Sequence, residues 1–239
     1  MLKIDSVSVR RGQLLTLNNV SLSLAPGRTV AVVGESGAGK STLIAAVLGL
    51  VALQRGSITW NGGPVRNCRP ALVMQEPRAA FNPVLSLRRS VLEPVVATGA
   101  TVVPDTLDNL CKRLELRPDL LDRRPGQVSI GQAQRAGILR ALIIESPLIL
   151  FDEPLSALDA VTQKHTARLI ADLQTERGFA ALIVTHDLGY AAAYADEIAV
   201  LQAGCIEEVT AAHRFVSQPS TEYGCTLLNA AIALGALQA

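Results

Sequence analysis

The sequence predicts an α/β fold: a largely parallel sheet covered by helices, with an antiparallel β portion at the N-terminus and a helical insertion in the middle. Three observations predict it. Apolar runs at 29–34 (TVAVVG), 148–151 (LILF), 180–185 (AALIVT) and 198–204 (IAVLQAG) read as buried strands. Segments of helical composition alternate with them, KSTLIAAVLGL at 40–50 and an amphipathic stretch near 161–176, as in parallel sheets built from strand–helix units. From about Leu85 to Ser146 strand signals vanish, and prolines punctuate helical stretches such as TLDNLCKRLEL (106–116) and GQAQRAGILRALIIE (131–145).

The N-terminal portion reads as two short strands, IDSVSV and LNNVSLSL, with Gly12 marking the turn between them. GSITWNGG (56–63) reads as a further strand and tight turn. The expected organisation is one domain over 1–239. Its core spans about 1–84 and 147–210, its helical subdomain about 85–146, and a less clearly patterned tail about 211–239. Hydrophobic residues make up 49% and charged residues 18%, enough apolar material for a filled core and against disorder.

A net charge of +1 and an aromatic fraction of 3% give no electrostatic or stacking argument for nucleic acid. The cysteines, Cys68, Cys111, Cys205 and Cys225, form no C-x-x-C pair and read as buried or idle thiols. The N-terminus lacks the apolar core of a signal peptide. The most apolar stretch, 136–151, is broken by Arg140, Glu145 and Pro147, short of the ~20 apolar residues of a membrane span. The chain is therefore expected to be cytoplasmic.

Gly34-Glu35-Ser36-Gly37-Ala38-Gly39-Lys40-Ser41, followed by Thr42, fits G-x-x-x-x-G-K-[ST] at every fixed position. Glycines there let backbone N–H groups converge on phosphate oxygens at the positive end of the following helix. Lys40 would reach the β/γ-phosphates of ATP, and the Ser41 hydroxyl would ligate Mg²⁺. A chance glycine-rich turn is the alternative, but a strand before and a helix after are what the motif requires. The second piece is LILFDEP, an apolar strand ending in Asp152 and Glu153. Asp152 suits Mg²⁺, and Glu153 suits polarising an attacking water. Such carboxylates often merely cap a strand, so this pair gains weight from the loop. Four more segments narrow the class: VSIGQAQR (128–135), SALD (156–159), Gln75 in VMQEP and His186 in VTHDL.

These six segments, in this order and spacing, resemble the ATP-binding-cassette family over essentially the whole chain. The resemblance implies a RecA-like P-loop NTPase core and an ATPase that works as a head-to-tail pair of cassettes, each P-loop facing the signature segment of the other. It implies that Ser129, Gly131 and Gln132 contact the γ-phosphate held by the partner, and that Asp159 links the two sites. It also implies that Gln75 completes the Mg²⁺ and water shell, while His186 holds the γ-phosphate and orients Glu153. A narrower resemblance lies in MQEPRAAFNPVL (74–85), similar to oligopeptide, dipeptide and nickel importer ATPases, as are the GESG opening and Tyr223 with Leu227-Leu228 near the C-terminus. It implies two integral membrane permease subunits, an extracytoplasmic solute-binding protein, and a peripheral place on the cytoplasmic face of the membrane.

Two departures stand out. Ile130 replaces the first glycine of the family's L-S-G-G-Q, a stiffer residue where backbone would approach phosphate. Near Arg10-Arg11 many cassettes carry an adenine-stacking aromatic; here either Arg11 stacks its guanidinium plane instead or the adenine is held loosely. A weakened signature beside an intact Glu153 and His186 suggests pairing with a second, related cassette in a heterodimer. Two other functions stay open at this stage. One is a soluble cassette ATPase of repair or translation, though no second cassette, coiled coil or basic surface is visible. The other is a nucleotide sensor with little turnover. Peptide, nickel chelate or another small solute all remain open as cargo.

Overall fold

The protein is described by a computed structural model covering residues 1–99 and 104–237. Residues 100–103 of the expected helical insertion and 238–239 of the expected tail lie outside the described residues.

Two sheets form the framework. The first is antiparallel, ordered β2-β1-β4-β5, from β1 (Leu2–Arg11), β2 (Leu14–Leu24), β4 (Arg55–Trp60) and β5 (Gly63–Pro64). The second has six strands, ordered β10-β9-β3-β8-β7-β6. Its members are β3 (Thr29–Val33), β6 (Ala71–Val73), β7 (Leu148–Asp152), β8 (Ala180–Thr185), β9 (Glu197–Gln202) and β10 (Cys205–Ala211). All pair in parallel except β10, which runs antiparallel along β9 at the edge. The α/β class expected from the sequence, with its antiparallel N-terminal portion, is therefore the class observed.

Strand side chains alternate between two faces with period two, so a strand buried on both faces must be apolar throughout. On β7, Leu148 and Leu150 enter one core while Ile149 and Phe151 enter another. On β3, Val30 and Val32 join the core shared with the antiparallel sheet and α1 (Lys40–Val47), while Ala31 and Val33 face the opposite way. This two-sided burial is why these strands read as continuous apolar runs.

Between β6 and β7 lie α2 (Leu87–Thr98), α3 (Pro104–Arg113) and α4 (Ile130–Leu142). Their apolar residues, including Val91, Leu110 and Leu139, belong to the same core as Ile149 of β7 and Leu173 of α5 (Ala160–Arg177). On the other flank α6 (Leu188–Tyr194), α7 (Ala212–Ser217) and α8 (Glu222–Ala233) bury Leu188, Phe215 and Leu228 against β3 and β9. The tail, weakly patterned in sequence, is thus two helices packed on the sheet beside the glycine-rich loop.

Candidate functional site

The loop between β3 and α1 is wedged between two neighbouring backbones. A Cβ at Gly34 would stand 2.1 Å from the Leu201 carbonyl oxygen, and one at Gly39 2.6 Å from that of Thr16. Gly39 also takes a φ of 110° at the entry to α1, a conformation L-residues rarely adopt. Lys40 curls back over the loop, its Nζ donating to the Gly34 carbonyl at 2.8 Å and the Glu35 carbonyl at 2.9 Å. Burial pushes the Lys40 ammonium below its ordinary pKa, opposed by the charges of Glu153 and Asp152. A desolvated cation at a helix N-terminus is a place where an anion is favoured.

Parallel strands β7 and β8 deliver the acidic half. The Ser41 hydroxyl donates to Asp152 Oδ1 at 3.2 Å. Desolvation raises the Asp152 pKa, and the charge of Glu153 adds to it, while the Ser41 hydrogen bond and Lys40 oppose. Glu153 sits past the end of β7 with a φ of 48°, its N–H donating to the Val184 carbonyl of β8 at 2.9 Å. Backbone in this sparsely populated region persists where surrounding structure dictates it, and such positions cluster at functional sites. Its Oε1 lies 2.9 Å from His186 Nδ1, and Thr185 Oγ1 donates to its Oε2 at 3.5 Å. The carboxylate is buried whereas the His186 side chain is 69% exposed, so the pair has one anchored and one reachable member.

These groups line one cavity of about 450 Å³ whose wall includes Thr16, Gly37, Lys40, Ser41, Gln75, Asp152, Glu153 and His186. Gln75 arrives from the segment after β6. The donor set of Ser41, Gln75 and Asp152 is all oxygen, matching a hard cation that keeps waters and substrate oxygens in its shell. Among the described residues no cluster of three or more His, Cys, Asp or Glu could hold a metal by itself. The half-buried Asp152 carboxylate, raised by desolvation, fits a cation completed by the substrate.

The structure does not bring all the sequence-predicted residues to this cavity. Ser129, Gly131, Gln132 and Asp159 are not among those lining it. Ser129 caps α4, accepting from the Gln132 N–H at 3.1 Å, while Gln132 Oε1 accepts from the Ser129 N–H at 2.9 Å. Gly131 leans on the SALD segment, where an added Cβ would come 3.3 Å from Leu158 Cδ2. Asp159 caps α5, and hydrogen bonds from the Thr162 N–H and hydroxyl hold its carboxyl below the usual range. Arg11 ends β1 opposite Leu14, exposed and also outside the cavity wall.

Two residues given no role by the sequence reading join the site. Thr16 reaches the cavity from β2. Gln134, buried on α4, donates to the Pro154 carbonyl at 2.8 Å and the Met74 carbonyl at 3.4 Å. It ties the signature helix both to the turn after Glu153 and to the residue before Gln75.

Residues 17–156 match the family model described as ABC transporter. The Oligopeptide transport ATP-binding protein OppF of Haemophilus influenzae is 36% identical over 205 residues, covering 80% of this chain and 62% of its own length. The Nickel import ATP-binding protein NikE of Shigella dysenteriae serotype 1 is 36% identical over 208 residues, covering 82% and 78%. The dimeric ATP-binding cassette MJ0796, solved in a post-hydrolysis state with ADP and Pi, superposes with a TM-score of 0.81 at 27% identity. It covers 89% of this chain and 99% of its own. The glycine loop closed by Lys40, the Asp152–Glu153 strand end and these matches agree: the chain belongs to the ABC transporter family of ATP-hydrolysing cassettes.

Proposed function

We propose that this chain powers an importer of a small solute, such as a short peptide or a nickel or other metal chelate. In this reading it lies on the cytoplasmic face of the membrane, paired with a second, related cassette. Two integral membrane permease subunits form the path, and an extracytoplasmic solute-binding protein delivers the cargo. The names of OppF and NikE support the solute class, and no described helix is long and apolar enough to cross a membrane. The asymmetry of an intact Glu153–His186 pair beside Ile130 in the signature supports a heterodimer.

The observation that carries the ATPase half is the 2.9 Å Glu153–His186 contact facing the same cavity as Lys40. The loop from Gly34 to Thr42 binds the phosphates, with Lys40 against the β/γ-oxygens. Ser41, Gln75 and Asp152 would hold Mg²⁺, which would neutralise charge developing on those oxygens. Glu153 accepts a proton from the attacking water, and His186 orients Glu153 and meets the γ-phosphate. Arg11 would offer its guanidinium plane to the adenine. Ser129, Gly131 and Gln132 serve the partner's nucleotide, and Asp159 links the two sites.

General-base help is worth about 10²–10⁴ in rate. Glu153→Gln should therefore keep ATP binding while Mg²⁺-dependent turnover falls by about that factor. The rate is to be measured for the chain alone and with its partner cassette and membrane subunits. Turnover retained in the variant would mean that another group is the base. Full turnover from the chain alone would remove the argument for a heterodimer.

A further inference from the structure

The first peptide of the P-loop is held from both sides. The Gly34 carbonyl accepts from Lys40 Nζ at 2.8 Å, and the Glu35 N–H donates to the Tyr223 hydroxyl of α8 at 3.1 Å. These two groups belong to a single peptide unit, planar and trans, so its carbonyl and N–H point in opposite directions. Fixing the N–H on one side therefore fixes the direction from which the carbonyl receives the ammonium. Donating through the N–H also polarises the amide toward its carbonyl oxygen, which strengthens the carbonyl as an acceptor.

Tyr223 is itself presented by a well-anchored turn. The buried Glu208 of β10 accepts from the Ser220 N–H at 2.6 Å, and Thr221 caps α8 by accepting from the Gly224 N–H at 3.0 Å. A Cβ on Gly224 would stand 2.4 Å from Glu208 Oε1, so the helix start lies hard against β10. By contrast, a gap of about 390 Å³ lies between the loop and the body of α8, lined by Gly34, Glu35, His186, Leu188, Leu227 and Ala231. Loop and helix body stand apart there, while the Tyr223 hydroxyl joins the start of the helix to the loop.

We propose that Tyr223 is a positioning residue for Lys40, setting the ammonium's place by holding the Gly34–Glu35 peptide plane. The proposal rests on the reading of this loop as the ATP site. Lys40 meets the phosphates before and during the reaction, so misplacing it weakens ground-state and transition-state binding alike. That signature is a raised KM with little change in kcat.

The test is a titration of the full chain with a fluorescent, MANT-labelled ATP and Mg²⁺, alongside steady-state ATPase and thermal unfolding. Tyr223→Phe keeps the ring and removes only the acceptor. It should raise Kd and KM about three- to tenfold, the range for losing one net hydrogen bond. Turnover should stay within about twofold, and Tm without nucleotide within about 2 °C. Leu228→Ala, in the buried face of the same helix, should lower Tm and leave Kd unchanged. An unchanged Kd in Tyr223→Phe overturns the proposal, as does an equal weakening by Leu228→Ala, which would make α8 a general packing element. A wild-type chain that binds no labelled ATP overturns the ATP reading itself and this inference with it.

Discussion

Helix α1 begins at Gly39, which has no side chain to offer its first turn, and no other side chain caps it. Helix α4 begins at Ser129, whose hydroxyl and the returning Gln132 amide close a reciprocal pair of hydrogen bonds over the same positions. Both are helix N-termini with the partial positive charge that draws anions. At α1 the donors are left for a ligand and sit in a cavity with Lys40. At α4 the capping pair already takes the Ser129 and Gln132 N–H groups, and Ile130 stands 52% exposed on the first turn. A phosphate can therefore enter at α1 without displacing any protein hydrogen bond. At α4 those two N–H groups could turn to a phosphate only by giving up a cap worth about 0.5–2 kcal/mol, whereas the Ser129 hydroxyl hydrogen and the Gln132 side-chain amide N–H groups are not used by the cap. The loop offers backbone N–H groups with no side chain over them, while the start of α4 offers side-chain donors over a closed cap.

The largest expected effect comes from spoiling the open terminus. Gly39→Ala places a methyl 2.6 Å from the Thr16 carbonyl at a φ of 110°. Strain of about 1–3 kcal/mol should lower ATP affinity about 10- to 100-fold, as read by equilibrium binding. Affinity within threefold of the parent would show that the loop does not need that close approach. Next comes the closed terminus. Ser129→Ala removes a cap worth about 1 kcal/mol and should lower Tm by about 2–4 °C. ATP affinity of the single chain should not move, while turnover of the assembled pair falls; a drop in single-chain affinity would break the separation between the two termini. Ile130→Gly sharpens the contrast from the other side. A glycine in the first turn costs the helix at most about 1 kcal/mol, and pair turnover should rise. A fall in turnover would mean that the isoleucine makes a contact of its own.

The smallest effect is electrostatic. The folded-state pKa of Asp152 is raised, mainly by desolvation. Its contribution to stability is therefore intact below the ordinary carboxylate range and lost as pH rises through the raised value. Asp152→Asn removes that loss at neutral pH, so Tm without nucleotide should rise by about 1–2 °C at pH 7, with the gain shrinking as pH falls. The stabilisation that Mg²⁺ and ATP give should disappear at the same time. A destabilised variant at pH 7 would show the Ser41–Asp152 hydrogen bond outweighing desolvation.

What could be read from the sequence was local. Gly34 to Ser41 is one contiguous loop, Asp152 and Glu153 are adjacent, and the strands that carry them are apolar on both faces. What could not be read depends on distant approach. Glu35 and Tyr223 are 188 residues apart, and Thr16 enters the cavity only because β2 passes over Gly39. The φ of 48° at Glu153 has no signal either, since a residue before proline is expected in extended backbone. The α8 segment EYGCTLLNAAIA has small and apolar residues spread around the helix, so its inner face is chosen by contact with β3 and β9 rather than by pattern. Edge strand β10 and the short α6 were likewise invisible, the latter started by the Asp187 cap.

Strand β3, which leads into the P-loop, has β8 on one side and β9 on the other, residues 180–185 and 197–202. During synthesis the ribosome has therefore finished the loop long before it has made either strand that flanks β3. Until residue 202 has emerged, Gly34 has no Leu201 to press against, and of the two backbones that wedge the loop only that of Thr16 exists. Pairing at that separation closes a large loop and belongs to the slow, non-local class of folding events. A product terminated before Leu201 would carry the complete motif yet lack the backbone against which Gly34 is pressed.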